Sequence, residues 1–148
     1  MRRADLAAVV LAAGEGRRLR PLTTLRPKAL CPVGNVPLLD GALDRVGRHS
    51  DHLAVNAHHL AQQVRDHLSD RRDVRLSVED PVALGTAGAI GNLRAWLGGR
   101  HVLVHNADAW MTDPLDTLLD GWSGRCPGCS SPRPGTAVPT SPTGASWG

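Results

Sequence analysis

A parallel α/β sheet with flanking helices is the fold class this sequence predicts, on three observations. Short apolar runs of strand length alternate with segments whose apolar residues recur at helical spacing. The first run, residues 6–13, is "LAAVVLAA", apolar at every position and so suited to a strand buried on both faces. It ends on a turn with glycine at 14 and 16, at the carboxyl end of a strand, where sheets of this class meet their ligands. A length of 148 residues suits one domain with one core.

The later elements follow from spacing. Leu39, Ala42, Leu43 and Val46 fall at i, i+3, i+4 and i+7, which predicts an amphipathic helix over 37–48. "HLAVN" (52–56) predicts a short strand, and Leu60, Val64 and Leu68, four apart, predict a second helix. Val74, Leu76 and Val78 alternate as strand residues do. Thr86 is expected to cap a third helix that carries Ile90, Leu93 and Leu97 on one face. "HVLVH" (101–105) predicts the fourth strand, and Asp113, Pro114 and Asp116 then supply the cap, first-turn proline and first-turn anion of a helix. The loops after Ala13, Val78 and His105 are therefore the expected ligand positions.

Composition changes abruptly after Asp120. Residues 121–148 hold nineteen Gly, Pro, Ser or Thr among twenty-eight, with Val138 the only branched aliphatic. Ordering such a backbone costs about 1–2 kcal/mol per residue, whereas burying Val138, Trp122 and Trp147 returns only about 1.5–3 kcal/mol each. The expectation is a partial domain over 1–120 and a disordered tail over 121–148. An apolar sheet edge followed by such a tail reads as a truncated or out-of-frame ending to a longer coding sequence.

Several function classes are disfavoured. No run approaches the roughly 18–20 apolar residues of a membrane span, so no membrane partner is expected. "MRR" ahead of the first apolar run imitates a secretory signal, but Asp5 interrupts it and the run has only eight residues. Cys31 is isolated, and Cys126 with Cys129 is a lone C-x-x-C pair, too few ligands for a zinc site. Thiols without a disulfide framework suit a reducing cytoplasm, the expected location. Net charge is only +3 and Tyr and Phe are absent, so no nucleic-acid surface of basic and stacking residues is expected.

The strongest local signal is "GEGRRLRPLTTLRPKAL", residues 14–30. It holds five of the seventeen basic side chains, including the only lysine, Lys28, and no acidic residue lies between Gly16 and Leu39. Nothing local is expected to pair with those cations, which points to an anionic ligand. Glycine lets backbone N–H groups approach an anion closely, so a turn of this kind can cradle phosphate. Two common variants fail: G-x-G-x-x-G would need glycine where Leu19 stands, and G-x-x-x-x-G-K-[ST] has no match. What remains is a G-x-G turn at a strand end, an arginine directly after it, and a Pro-Lys some ten residues on.

In this the sequence resembles the sugar-1-phosphate nucleotidyltransferases, whose signature is L-A-A-G-x-G-x-R-L-x-P-L-T followed by P-K-x-L. Arg18, Leu19, Pro21, Leu22, Thr23, Pro27, Lys28 and Leu30 stand in register with it. "LGTAGAI" (84–90) resembles the family's second glycine loop, and "VHNADAW" (104–110) the strand end that carries a metal-binding aspartate. "VNAHHLAQQVRDHL" (55–68) is similar to the subgroup of mannose-1-phosphate guanylyltransferases and N-acetylmuramate-1-phosphate uridylyltransferases. The resemblance covers residues 5–120.

It implies the N-terminal half of a Rossmann-like fold of the nucleotide-diphospho-sugar transferase type, and a reaction between a nucleoside triphosphate and a sugar 1-phosphate with Mg²⁺ as cofactor. It further implies that Leu11, Ala12, Gly14 and Gly16 hold the nucleotide, with Gly85 and Thr86 at the base or ribose. Arg18 would hold the β- and γ-phosphates, Lys28 the α-phosphate, Asn106 the sugar phosphate and Asp108 the metal. Arg17, Arg20 and Arg26 are expected on the solvated surface, His58 and His59 as polar residues at a helix start, Trp96 and Leu97 in the core, and Asp44 and Asp66 on solvated helix faces.

The family's later half, with most of the sugar pocket and a second metal-binding carboxylate, is not recognisable here, so the polypeptide by itself is expected to turn over weakly or not at all. Two other functions stay open: a nucleotide-binding or regulatory module without catalysis, and a cytidylyltransferase acting on a phosphorylated alcohol.

Overall fold

The computed structural model describes residues 3–112 and 114–120. The expectations for Asp113, for Cys126 and Cys129, and for the 121–148 tail lie outside the described residues.

Four parallel strands form the central sheet: β1 (Leu6–Leu11), β4 (His52–Ala57), β5 (Val74–Val78) and β6 (His101–Asn106), in the order β5-β4-β1-β6. The expected strands are all present, and β1 stops at Leu11, two residues short of the apolar run. Strand β1 is central for a compositional reason. Ala7, Ala8, Val9 and Val10 are wholly buried, with small or β-branched side chains that fit a strand covered on both faces.

On one face Ala8 and Val10 pack against Leu39, Leu43 and Val46 of helix α2 (Leu38–Gly47) and Val64 of α3 (Ala61–His67). On the other, Ala7 and Val9 meet Leu93 and Leu97 at the ends of α4 (Gly85–Asn92) and α5 (Arg94–Leu97), with Trp96 beside them. Full burial of each leucine or valine here contributes about 1.5–3 kcal/mol.

Strand order reverses at β1. The chain moves outward from β1 to β4 and β5, then crosses back through α4 and α5 to lay β6 on the opposite side of β1. The gap between the carboxyl ends of β1 and β6 is thus a topological switch point, where open α/β sheets bind ligands. Strand β6 is an edge among the described strands, and its face toward α4 leaves Val102 and Val104 37% and 43% exposed.

Between β1 and α2 the chain forms elements that hydrophobic periodicity did not predict. They are the short helix α1 (Leu22–Leu25), two 3₁₀ turns (Arg17–Leu19 and Lys28–Leu30), and a hairpin of β2 (Pro32–Val33) and β3 (Val36–Pro37). Gly34 and Asn35 at the hairpin tip both have positive φ, 58° and 65°. That is the type I′ requirement, and Gly-Asn meets it. A last short helix, α6 (Asp116–Asp120), carries Asp116 in its first turn.

The expected cap is corrected. Thr86 lies inside α4, whose N-cap position is Leu84 with no side-chain capping bond. The Leu84 N–H is instead taken by the Glu79 carboxylate at 2.7 Å, and Gly85, at φ 69°, turns the chain into the helix. The expected apolar face is present, but the helix breaks at Leu93 rather than running through. Among the described residues no helix is long and apolar enough to cross a membrane.

Candidate functional site

The turn after β1 is shaped by Gly16. Its φ of 62° is left-handed, and a Cβ there would stand 2.8 Å from Thr23 Cγ2, so only glycine fits without displacing a neighbour. Thr23 is fully buried, and its hydroxyl donates to the Gly16 carbonyl at 2.9 Å while the Leu19 N–H reaches the same oxygen at 2.8 Å. His59 Nε2 donates to the Thr23 carbonyl at 2.7 Å and props α1 from β4's side. Neighbouring His58 donates from Nδ1 to the Glu79 carbonyl at 2.9 Å. Both histidines are thus engaged with the backbone at the carboxyl side of the sheet.

The expectation that nothing local pairs with the turn's cations is corrected. Glu15, one residue before the acid-free stretch, takes Arg17 at 2.6 Å and lies 3.7 Å from Arg20. The two exposed arginines share that one carboxylate, and Arg17, expected on the solvated surface, also borders the cleft described below. Lys28 finds its counterpart eighty residues away, where Nζ donates to Asp108 Oδ2 in the loop after β6. The Lys28 ammonium holds the Asp108 carboxyl below the usual carboxylate range against the opposing pull of burial, and the Arg18 charge adds to the effect. Neither partner is deeply buried, with side-chain exposures of 31% for Lys28 and 39% for Asp108. The pair is open to a ligand.

These residues line a cleft of about 580 Å³ at the switch point. Leu11, Ala12, Gly14, Gly16, Arg17, Arg18, Leu19, Lys28 and Ala29 form one wall, and Ala107 and Asp108 the other. The volume lies within the range of small-molecule sites. With Arg17 paired to Glu15, Arg18 and Lys28 face the single carboxylate of Asp108, an excess of positive charge that suits an anion. Among the predicted residues, Leu11, Ala12, Gly14, Gly16, Arg18, Lys28 and Asp108 converge here. Gly85, Thr86 and Asn106 do not line the cleft. Asn106 ends β6, paired with Leu11, and is exposed. Gly85 and Thr86 stand exposed at the start of α4.

Asp108 is also the one carboxylate on the cleft wall, and no group of three or more His, Cys, Asp or Glu suited to a metal occurs among the described residues. Such a donor set does not make a protein cage. It fits Mg²⁺ held by one carboxylate and the oxygens of a bound phosphate chain.

Two buried polar residues were not singled out from the sequence. Asn56 and Glu79 are 3% and 2% exposed. Asn56 Oδ1 accepts the Ala12 N–H at 2.8 Å, and Asn56 Nδ2 donates to Glu79 Oε1 at 2.8 Å. The available signal was an asparagine inside the apolar "LAVNA" and a glutamate at the end of the next strand. Each is a polar group that burial would penalise unless it were bonded.

A cleft at the switch point of a parallel sheet, closed on one side by a glycine turn and carrying an excess of positive charge, defines an α/β protein of the open-sheet class. The chain belongs to the nucleotidyl transferase family, whose model matches residues 7–123. It is 42% identical over 127 residues to an N-acetylmuramate alpha-1-phosphate uridylyltransferase of Caulobacter vibrioides, covering 81% of this chain and 52% of that protein. It is 32% identical over 117 residues to a mannose-1-phosphate guanylyltransferase of Mycobacterium tuberculosis, covering 76% of this chain and 33% of the other.

Among solved structures, HddC from Yersinia pseudotuberculosis, complexed with GMP-PN, superposes with a TM-score of 0.66 at 21% identity, over 77% of this chain and 52% of that one. The CTP:phosphocholine cytidylyltransferase of Streptococcus pneumoniae gives 0.61 at 27% identity, over 74% and 48%. The fold is the Rossmann-like one of nucleotide-diphospho-sugar transferases, and the chain spans about half the length of the uridylyltransferase it matches.

Proposed function

We propose that the cleft binds the triphosphate of a nucleoside triphosphate and serves nucleotidyl transfer to a sugar 1-phosphate. One observation carries the reading: Arg18, just past the glycine turn, and Lys28, at the start of the second 3₁₀ turn, face Asp108 from the loop after β6 across a single cleft at the switch point. The Gly14–Gly16 turn brings backbone close to the phosphates, with Leu11 and Ala12 beside the base. Arg18, a forked donor, holds the β- and γ-phosphates. Lys28 places its compact charge at the α-phosphate. Gly85 and Thr86 take the base or ribose, and Asn106 takes the sugar phosphate.

In the reaction, a phosphate oxygen of the sugar 1-phosphate attacks the α-phosphorus in line. The bond from that phosphorus to the bridging oxygen of the β-phosphate breaks, and pyrophosphate leaves with the electron pair. Such transfers need positioning and charge neutralisation more than covalent help. Asp108 is the residue that would hold Mg²⁺. When bound, the ion would neutralise phosphate charge. Lys28 would then move from Asp108 to the α-phosphate, which keeps the ammonium paired throughout.

A coupled assay of pyrophosphate release, with each NTP and a panel of sugar 1-phosphates, tests this. Slow Mg²⁺-dependent release is expected, reduced about 10²–10³-fold in Lys28→Ala, the loss typical of removing one transition-state donor. The likeness to the phosphocholine enzyme favours a second reading, transfer from CTP to a phosphorylated alcohol. Release with CTP and phosphocholine, and not with sugar phosphates, would select it. Nucleotide binding with no release from any acceptor would mark a binding module.

A further inference from the structure

The Gly14–Gly16 turn and the start of α4 lie on loops that follow different strands, β1 and β5, with β4 between them. They are nonetheless joined by an unbroken path of three hydrogen bonds through two buried side chains. The Ala12 N–H donates to Asn56 Oδ1, Asn56 Nδ2 donates to Glu79 Oε1, and Glu79 Oε2 accepts the Leu84 N–H, at 2.8, 2.8 and 2.7 Å. The glutamate is itself fixed by its backbone, its N–H bonding the Ala57 carbonyl at 2.8 Å.

Each end of this path is a backbone N–H that no β-ladder or helix can satisfy. Ala12 is the first residue past β1, and Leu84 is the N-cap position of α4. The chemistry at Glu79 is specific. Both of its oxygens face N–H donors, one each from Asn56 and Leu84. An amide in its place has only one oxygen and would set an NH₂ group against one of those donors. A carboxylate is the one side chain of this length that holds both loops at once.

We infer that Asn56 and Glu79 are positioning residues that set the separation between the phosphate turn and the Gly85–Thr86 loop, so that one nucleotide engages both. This rests on the nucleotide reading above and adds to it a reason why the nucleoside and the triphosphate are recognised together. It predicts that loosening the bridge weakens a whole nucleotide while sparing a ligand that touches only the turn.

The test is calorimetric titration of the full chain in Mg²⁺ with UTP, GTP, CTP and dTTP, keeping the tightest as probe, and with inorganic tripolyphosphate. In Glu79→Gln the nucleotide is expected to bind at least about tenfold more weakly, with tripolyphosphate affinity unchanged within about twofold. A merely structural role would not move that ratio. Should the variant fail to fold, Leu84→Pro removes the N–H at the far end of the path, together with a side chain that is 44% exposed, at a φ of −84° close to proline's own. The same selective loss is expected there. A folded variant that binds the nucleotide as the wild type does, or loses both ligands equally, overturns the inference alone. A wild-type chain that binds neither ligand overturns the nucleotide reading and this inference with it.

Discussion

Lys28–Asp108 and Asn56–Glu79 are both polar pairs at the carboxyl end of the sheet, yet they sit on opposite terms with solvent. The first is about one-third exposed and faces a cleft. The second is almost wholly buried and bonded at both ends to backbone. Water screens an exposed pair until it contributes little to folding, while a buried polar group left without a partner carries its full desolvation cost. The difference separates two tasks. The open pair keeps its charges accessible at little structural consequence, and the closed pair ties the segment leading into the glycine turn to the start of α4.

Mutations should divide along that line. Asn56→Leu has the largest expected effect on stability, because it leaves the Ala12 N–H and one Glu79 oxygen buried without partners. A loss of about 1–3 kcal/mol for each group is expected in chemical denaturation. Gly16→Ala comes next: a left-handed non-glycine residue costs about 1–2 kcal/mol, and the new methyl must also displace Thr23 Cγ2. Lys28→Ala should change stability by less than about 1 kcal/mol, although it removes the proposed activity. Its residual effect has a pH signature. The Asp108 value is lowered in the folded state, so the pair's contribution is present above the unfolded carboxylate value near 3.9 and fades as pH falls below it.

His105 gives a second pH dependence. It is 5% exposed on β6, and neither ring nitrogen has a hydrogen-bond partner among the described residues. Burial pushes its pKa down against an opposing pull from the Asn106 backbone, and the Arg45 charge adds to the lowering. A folded value below the unfolded one means stability is complete above about pH 6.5 and declines as pH falls through that range. Thermal melts at pH 7.5 and 5.5 should show a decline that His105→Leu reduces. Smallest of all is Arg17→Ala. Its pair with Glu15 is exposed, and no measurable change in melting temperature is expected.

How much of this was legible in the sequence follows the same division. The β1 run and the G-x-G turn could be read because burial on both faces and a left-handed backbone each restrict residue type locally. Arg18, Lys28 and Asp108 were legible through the resemblance, and the switch point brings them together. The Asn56–Glu79 bridge was not legible, because a polar residue at a strand end has many uses and its partners lie 23 and 44 residues away. The same blindness assigned Thr86 as a cap, since the Leu84 N–H is satisfied from a different strand. The Gly34–Asn35 hairpin was missed for another reason: its strands have two residues each, too short for any alternation to register.

Equilibrium titration of a nucleoside triphosphate with Mg²⁺ into the wild-type chain and Lys28→Ala, both shown to be folded, tests the central claim most directly. The account predicts saturable binding to the wild type at one site, weakened tenfold or more when the ammonium is removed. Equal affinity in the two proteins, or no binding to the folded wild type by any of the common triphosphates, would contradict it.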